Sequence, residues 1–137
     1  MLKLSKKTEY ALMAVKFMAR NAADGSVTAK EISEGYNIPY DLLSKVLQQL
    51  THKKLVNSFQ GIKGGYTLNH DPENVTLFDI ISAVEPNYQI TDCFQEGSTE
   101  KDCTYINCCM IRDPLAKVQK EIDKLFKAVT IQQILWP

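Results

Sequence analysis

Apolar residues in the first half of the chain recur at helical spacing, and turn-forming residues break the pattern at intervals. Tyr10, Leu12, Ala14, Val15, Phe17 and Met18 make a broad apolar face, and Ser5 stands where an N-cap would accept the first free amides. The pattern predicts a helix from Ser5 to about Asn21, closed by the loop Ala22-Ala23-Asp24-Gly25-Ser26. Thr28 and Glu31 form a T-x-x-E capping box for a short helix through Ile32, after which Gly35-Tyr36-Asn37 reads as a turn. A third helix opens at Pro39, whose missing N–H costs nothing in a first turn. On that helix Leu43, Val46, Leu47 and Leu50 share one narrow arc, which seats it on a core. Asp41, Ser44, Lys45, Gln48 and His52 share the opposite arc, with Tyr40 at its edge. Polar outer faces are commonplace, but two short helices joined by a tight turn suggest a helix-turn-helix.

The pattern then changes to short strands. Leu55 to Phe59 and Tyr66 to Leu68 flank the glycine-rich tip Gln60-Gly61-Ile62-Lys63-Gly64-Gly65, which makes a hairpin and hence a winged helix. A nucleotide-binding glycine loop fits poorly, because the glycines precede a strand and no G-x-x-x-x-G-K-[ST] is present. Thr76 caps a further helix with Leu77, Ile80, Ile81 and Val84 at core spacing, stopped by Glu85-Pro86-Asn87. Near the end, Asp113 and Pro114 mark either a fresh helix start or a kink. Leu115, Val118, Ile122, Leu125 and Val129 then repeat at intervals of 3, 4, 3 and 4, an a/d seam. So short a seam needs a partner surface, either a groove of its own chain or a twin helix. The expected fold is mainly α with a small β-hairpin wing: a winged helix-turn-helix domain over 1–85, a cysteine-bearing loop over 86–110, and a long dimerisation helix with its tail over 111–137.

Composition adds direction. The 137 residues, 45% hydrophobic, suffice for one respectable core. Formal net charge is zero, yet residues 1–70 hold ten Lys/Arg against five Asp/Glu, and residues 71–137 hold six against eleven. Unless the asymmetry is only chance among solvated faces, the basic half is the footprint of phosphate binding, and the acidic half would repel DNA laid across it. The candidate DNA-reading residues are Tyr40, Ser44, Lys45 and Gln48 of the third helix with Gln60 and Lys63 of the wing. No stretch approaches the roughly 20 apolar residues of a membrane span, and the first residues lack a signal peptide's apolar run, so a cytoplasmic protein is expected. His52 and His70 are the only histidines, and neither sits in a nucleophile-orienter pattern; an enzyme and a small-molecule substrate are not expected.

All four cysteines, Cys93, Cys103, Cys108 and Cys109, fall in one polar stretch. In a reducing compartment such grouping points to metal ligands or reactive thiols rather than disulfides. No C-x-x-C supports a thiol-disulfide enzyme. Zinc and an iron-sulfur cluster both satisfy thiolates at this spacing. Thiolates on one loop repel each other, so the segment from about Gln89 to Asn107 is expected to be mobile when empty and ordered when filled.

The chain resembles the IscR/NsrR family of iron-sulfur-dependent transcription regulators nearly end to end. The resemblance is carried by Leu4-Ser5-Lys6-Lys7-Thr8-Glu9-Tyr10-Ala11-Leu12, Gly61-Ile62-Lys63-Gly64-Gly65-Tyr66, Asp79-Ile80-Ile81-Ser82-Ala83-Val84-Glu85 and Thr130-Ile131-Gln132-Gln133-Ile134-Leu135. Its amino-terminal sequence and short ending look most like the branch regulating Suf-type cluster-assembly genes. The resemblance implies a homodimeric repressor bound to double-stranded promoter DNA and tuned by a cluster of 2Fe-2S or 4Fe-4S type. Family members hold it through three cysteines, the last two separated by five residues, which carries over to Cys93, Cys103 and Cys109. Cys108 departs from that pattern, as a bystander, an alternative ligand or a redox-active thiol. Arg112 stands where IscR proteins place a ligating histidine, which favours the arrangement of nitric-oxide-sensing relatives and makes Glu9, reaching from the partner subunit, the fourth-ligand candidate. The alternatives are a zinc or thiol-redox winged-helix regulator, a nitric-oxide-sensing repressor, and a cluster carrier that ignores DNA.

Overall fold

The structure, a computed structural model, describes residues 3–91, 94 and 110–136. Helix α1 (Lys6–Arg20) starts as its sequence dictates, with the Ser5 side chain accepting from the Thr8 N–H. The Ser5 hydroxyl also donates to Glu85, which ties the start of this helix to the end of α4 (Leu77–Val84). Helix α2 (Ala29–Tyr36) makes the Thr28 half of the expected capping box, Thr28 Oγ1 accepting from the Glu31 N–H at 3.1 Å. It runs past Ile32 to Tyr36, so Gly35 belongs to its last turn and Asn37, left-handed at φ 53°, ends it. Gly35 is there for space: a Cβ would stand 3.0 Å from the Phe17 ring, which itself packs edge-on against Tyr36.

The turn into α3 (Tyr40–His52) is locked at both ends. The Ile38 N–H donates to the Ser33 carbonyl and the Ser33 hydroxyl donates to the Ile38 carbonyl, with Ile38 buried between them. Leu43, Val46, Leu47 and Leu50 of α3 are all 0% exposed, as their shared arc requires. They meet Ala11, Ala14, Val15 and Met18 of α1, Ile32 of α2 and Ile80 and Val84 of α4 in one core. Strands β1 (Val56–Phe59) and β2 (Gly65–Leu68) pair antiparallel, with Val56 opposite Leu68 and Phe59 opposite Gly65. The free edge of β2 is closed by Val27, which exchanges both backbone hydrogen bonds with Tyr66. Gly65 permits that approach: its φ is 149°, and a Cβ would sit 2.5 Å from the Val27 carbonyl oxygen. The wing is therefore joined to the helix-turn-helix on two sides, through α3 and through the segment before α2.

After α4, whose Thr76 and Asp79 complete a reciprocal capping box, the chain returns as α5 (Arg112–Ala128) and α6 (Ile131–Leu135). Pro114 lies in the first turn of α5, so the fresh start is the correct alternative. The a/d seam divides. Leu115, Ile122 and Val129 are half-buried, whereas Val118 and Leu125 stand open at 47% and 61% exposure, seven residues apart and in line with exposed Ile111. Gln119 is the buried residue of this helix. Its Oε1 accepts from the Ile90 N–H and its Nε2 donates to Asp123, both at 2.8 Å. Phe78 of α4 packs edge-on against Tyr88 and carries the Lys127 ammonium 4.6 Å above its ring.

The end of α5 is fastened to the winged helix. The Leu77 N–H donates to the Val129 carbonyl, the Ile131 N–H donates to the Val75 carbonyl, and Ile131 is fully buried in the core. Ile131→Ala should cost about 2–5 kcal/mol in urea unfolding, through lost burial and the cavity left behind; a change within experimental error would mean the tail is not part of the folding unit.

The Tyr88 phenol is pushed up from 10.0 to about 12, first by burial and then by the charge and hydrogen bond of Asp123. The folded state thus keeps this proton longer than the unfolded chain does. The stabilisation is fully present below pH 10.0 and is lost as the pH rises through about 12. Ultraviolet titration should find one tyrosine ionising late, and Tyr88→Phe should remove that step and flatten the loss of stability across this window.

Candidate nucleic-acid interface

From Leu42 to His70 the chain holds four lysines, both its histidines and no carboxylate. The fold spends this stretch on α3 and the wing, so the positive charge of the basic half is concentrated on two consecutive elements. On α3 the burial of Leu43, Val46, Leu47 and Leu50 forces the opposite face outward. Tyr40, 54% exposed, joins exposed Lys45 and Gln48 there, with Ser44 half-buried between them. Gln60 and Lys63 are exposed at the wing tip. The tip is not loose: the Ser26 hydroxyl donates to the Lys63 carbonyl at 3.0 Å, anchoring it to the segment before α2.

Tertiary packing adds residues that the sequence pattern did not single out. A groove of about 610 Å³ runs beside the second half of α3, lined by Lys7, Lys45, Gln48, Gln49, His52 and Lys53 with Ser82, Ala83 and Pro86. Lys7 comes from α1, and only the crossing of α1 and α3 puts it beside Lys45; no local spacing would have found it. The buried side-chain amide oxygen of Gln49, Oε1, has no partner among the described residues. Cationic groups around an open groove suit a run of phosphates. A larger cleft, about 760 Å³, lies between the end of α1, β2 and α6; it contains Asp71 and no lysine, and shares no residue with the expected reading set.

Glu9 lies apart from this surface. On α1 it sits about 200° round the helix from Lys7, half-exposed, with its carboxylate 2.9 Å from the Lys6 ammonium. Hydrogen bonding to Glu9, reinforced by its charge, holds Lys6 above its ordinary pKa. Cys93, Cys103, Cys108 and Cys109 lie outside the described residues. Among the described residues no three His, Cys, Asp or Glu side chains gather as a metal site. What the structure does place are the two flanks of the cysteine-bearing stretch. Ile90 is held to Gln119 in the middle of α5, and Met110 and Ile111 lead directly into the start of the same helix.

A model for Rrf2, described as an iron-dependent transcriptional regulator, matches residues 4–136. The protein Aau3 of Rhizobium meliloti is 29% identical over 98% of this chain and 85% of its own length. The HTH-type transcriptional regulator NsrR of Bacillus licheniformis is 25% identical over 98% of this chain and 92% of its own. Among solved structures, CymR, the global cysteine regulator of B. subtilis, superposes with a TM-score of 0.71 at 23% identity, covering 98% of this chain and 97% of CymR. IscR of T. potens gives 0.68 at 24% identity, covering 98% and 86%. Both structures share the winged-helix fold seen here. No helix among the described residues is long and apolar enough to cross a membrane.

Lys45→Ala and Lys63→Ala should each weaken binding to all duplex sequences alike and lower the salt slope by about one unit. Gln48→Ala should instead change base preference, by about 1–3 kcal/mol at one position. Salt-titrated duplex binding measures both, and an unchanged affinity in the double lysine variant would remove α3 and the wing as the reading surface.

Proposed function

The chain belongs to the Rrf2 family of iron-dependent transcriptional regulators, and from that premise we propose that it is a homodimeric, cluster-sensing repressor of Suf-type cluster-assembly genes. One observation carries this reading: the described residues on both sides of the cysteine-bearing stretch are fastened to one helix, α5. Ile90 is bonded to Gln119 and Met110 runs into Ile111 at the helix start, two points on that helix about 12 Å apart. A cluster held by cysteines between these two points would therefore be linked to α5 at both of them. The same helix presents the open apolar line Ile111, Val118 and Leu125, spaced by one heptad each, which suits a second copy of the same helix. Two copies joined there would present two reading heads to a pseudo-palindromic site.

Cys93, Cys103 and Cys109 are the proposed thiolate ligands, and Glu9 of the partner subunit the fourth. Their chemistry fits an iron-sulfur cluster: three soft thiolates and one harder, more labile oxygen donor. The structure supports the availability of Glu9, since its counter-ion Lys6 is 74% exposed and such a surface pair is weak. When bound, the cluster would supply an oxidant- and nitric-oxide-sensitive centre. The acidic second half helps keep DNA on α3 and the wing. A second reading, a thiol-redox regulator, draws support from Cys108, which the three-ligand spacing leaves unused, and from the fold shared with a cysteine regulator.

Anaerobic purification with absorption spectra and iron and sulfide assays separates the two. Ser substitutions at Cys93, Cys103 and Cys109 should each abolish the visible chromophore, and Cys108→Ser should keep most of it. Glu9→Ala should retain a cluster with altered spectrum and altered nitric oxide reactivity. A colourless, iron-free protein whose duplex affinity follows Cys108 oxidation would establish the thiol reading instead.

A further inference from the structure

Ile62 is the most exposed large apolar residue described, at 107%, with all of its side chain in water. A flexible tip would fold such a group back onto Phe59 or Tyr66, but this tip is held. The Gly64 N–H donates to the Gly61 carbonyl at 2.9 Å, the Ser26 hydroxyl fixes the Lys63 carbonyl, and Val27 pairs with Tyr66 just behind. Gly64 is packed so tightly that a Cβ there would lie 2.7 Å from the Phe59 carbonyl oxygen and 2.8 Å from that of Gly61. A β-branched side chain is thus presented on a rigid mount, flanked by exposed Gln60 and Lys63 in a stretch with no carboxylate.

Building on the DNA-reading role proposed above, we propose that Ile62 is a minor-groove filter that selects A·T over G·C pairs beneath the wing. The chemistry is one of exclusion. The floor of the minor groove carries acceptors at every pair, and the guanine 2-amino group is the donor that distinguishes G·C. A branched hydrocarbon can lie against sugar walls and the smooth A·T floor. It offers nothing to accept from the amino group, which it would both crowd and strip of water. Lys63 supplies attraction to phosphates without sequence preference, so discrimination falls to its apolar neighbour.

The test is selection from a random-core DNA duplex pool by the parent, Ile62→Ala and Ile62→Leu proteins, followed by replacement of the enriched flanking A·T pairs by G·C or by inosine·C. Inosine·C keeps the major-groove pattern of G·C and lacks the 2-amino group. The parent should enrich A·T at those positions, lose roughly tenfold in affinity with G·C, and recover it with inosine·C. Ile62→Leu should keep the discrimination and Ile62→Ala should lose it, with melting unchanged because the side chain supports nothing. An alanine variant with the parent's A·T preference, or inosine·C bound as poorly as G·C, would overturn the filter and leave Ile62 a contact for something other than DNA. If the parent retains no duplex from the pool, the DNA-reading assignment itself fails and the filter with it.

Discussion

The pair of backbone hydrogen bonds between Val75–Leu77 and Val129–Ile131 is the constraint on which the rest of the structure depends. Without it α5 would be held only along its length, by half-buried Leu115 and Ile122, the Lys127–Phe78 contact and the Gln119 hydrogen bonds. With it, the long helix is held at its far end by backbone geometry and by Ile131 in the core, and at its middle by Gln119. A helix fixed at two points moves with the body it is fixed to. The orientation of the winged helix is therefore set relative to α5, and in the proposed homodimer whatever pairs two α5 helices would also set the separation of two reading heads.

The buried Gln119 at the middle of α5 is the counterpart of that constraint. Gln119 is buried because the Ile90 amide needs an acceptor where the chain leaves α4, and Asp123 in turn takes the glutamine's N–H. Replacing such a network with aliphatic side chains would pack as tightly but would accept many registers. Hydrogen-bond geometry admits one. This explains why an otherwise amphipathic helix puts a glutamine, and not a leucine, at its most buried position.

Much of the fold was legible because its signals are local. Ser5, Thr28 and Thr76 announced helix starts by cap chemistry, the α3 arc announced its buried face, and the glycine-rich run announced the wing. What was not legible depends on distant partners. Gly35 read as a turn because glycine usually marks one, yet its role is to make room for Phe17 from another helix. Gln119 sits among polar residues on an amphipathic helix, and nothing nearby in sequence marks it as buried. The a/d seam was visible as a unit, but only the fold divides it between the chain's own surface and the open side. Of the candidate site, the α3 and wing residues followed from periodicity, whereas Lys7 required the crossing of α1 and α3. The cysteines and Glu9 rest on spacing and resemblance.

The closure of the β2 edge by Val27 has a kinetic consequence. Because β2 is paired on both of its edges and the wing tip is anchored by Ser26, little conformational freedom would remain to be surrendered if the wing enters a groove as proposed. On that proposed reading, encounter with a duplex would be governed by charge and diffusion and would be nearly blind to sequence. Sites would then differ in how long the protein lingers on them, so residence time, rather than speed of arrival, would be the quantity on which selection among sites acts.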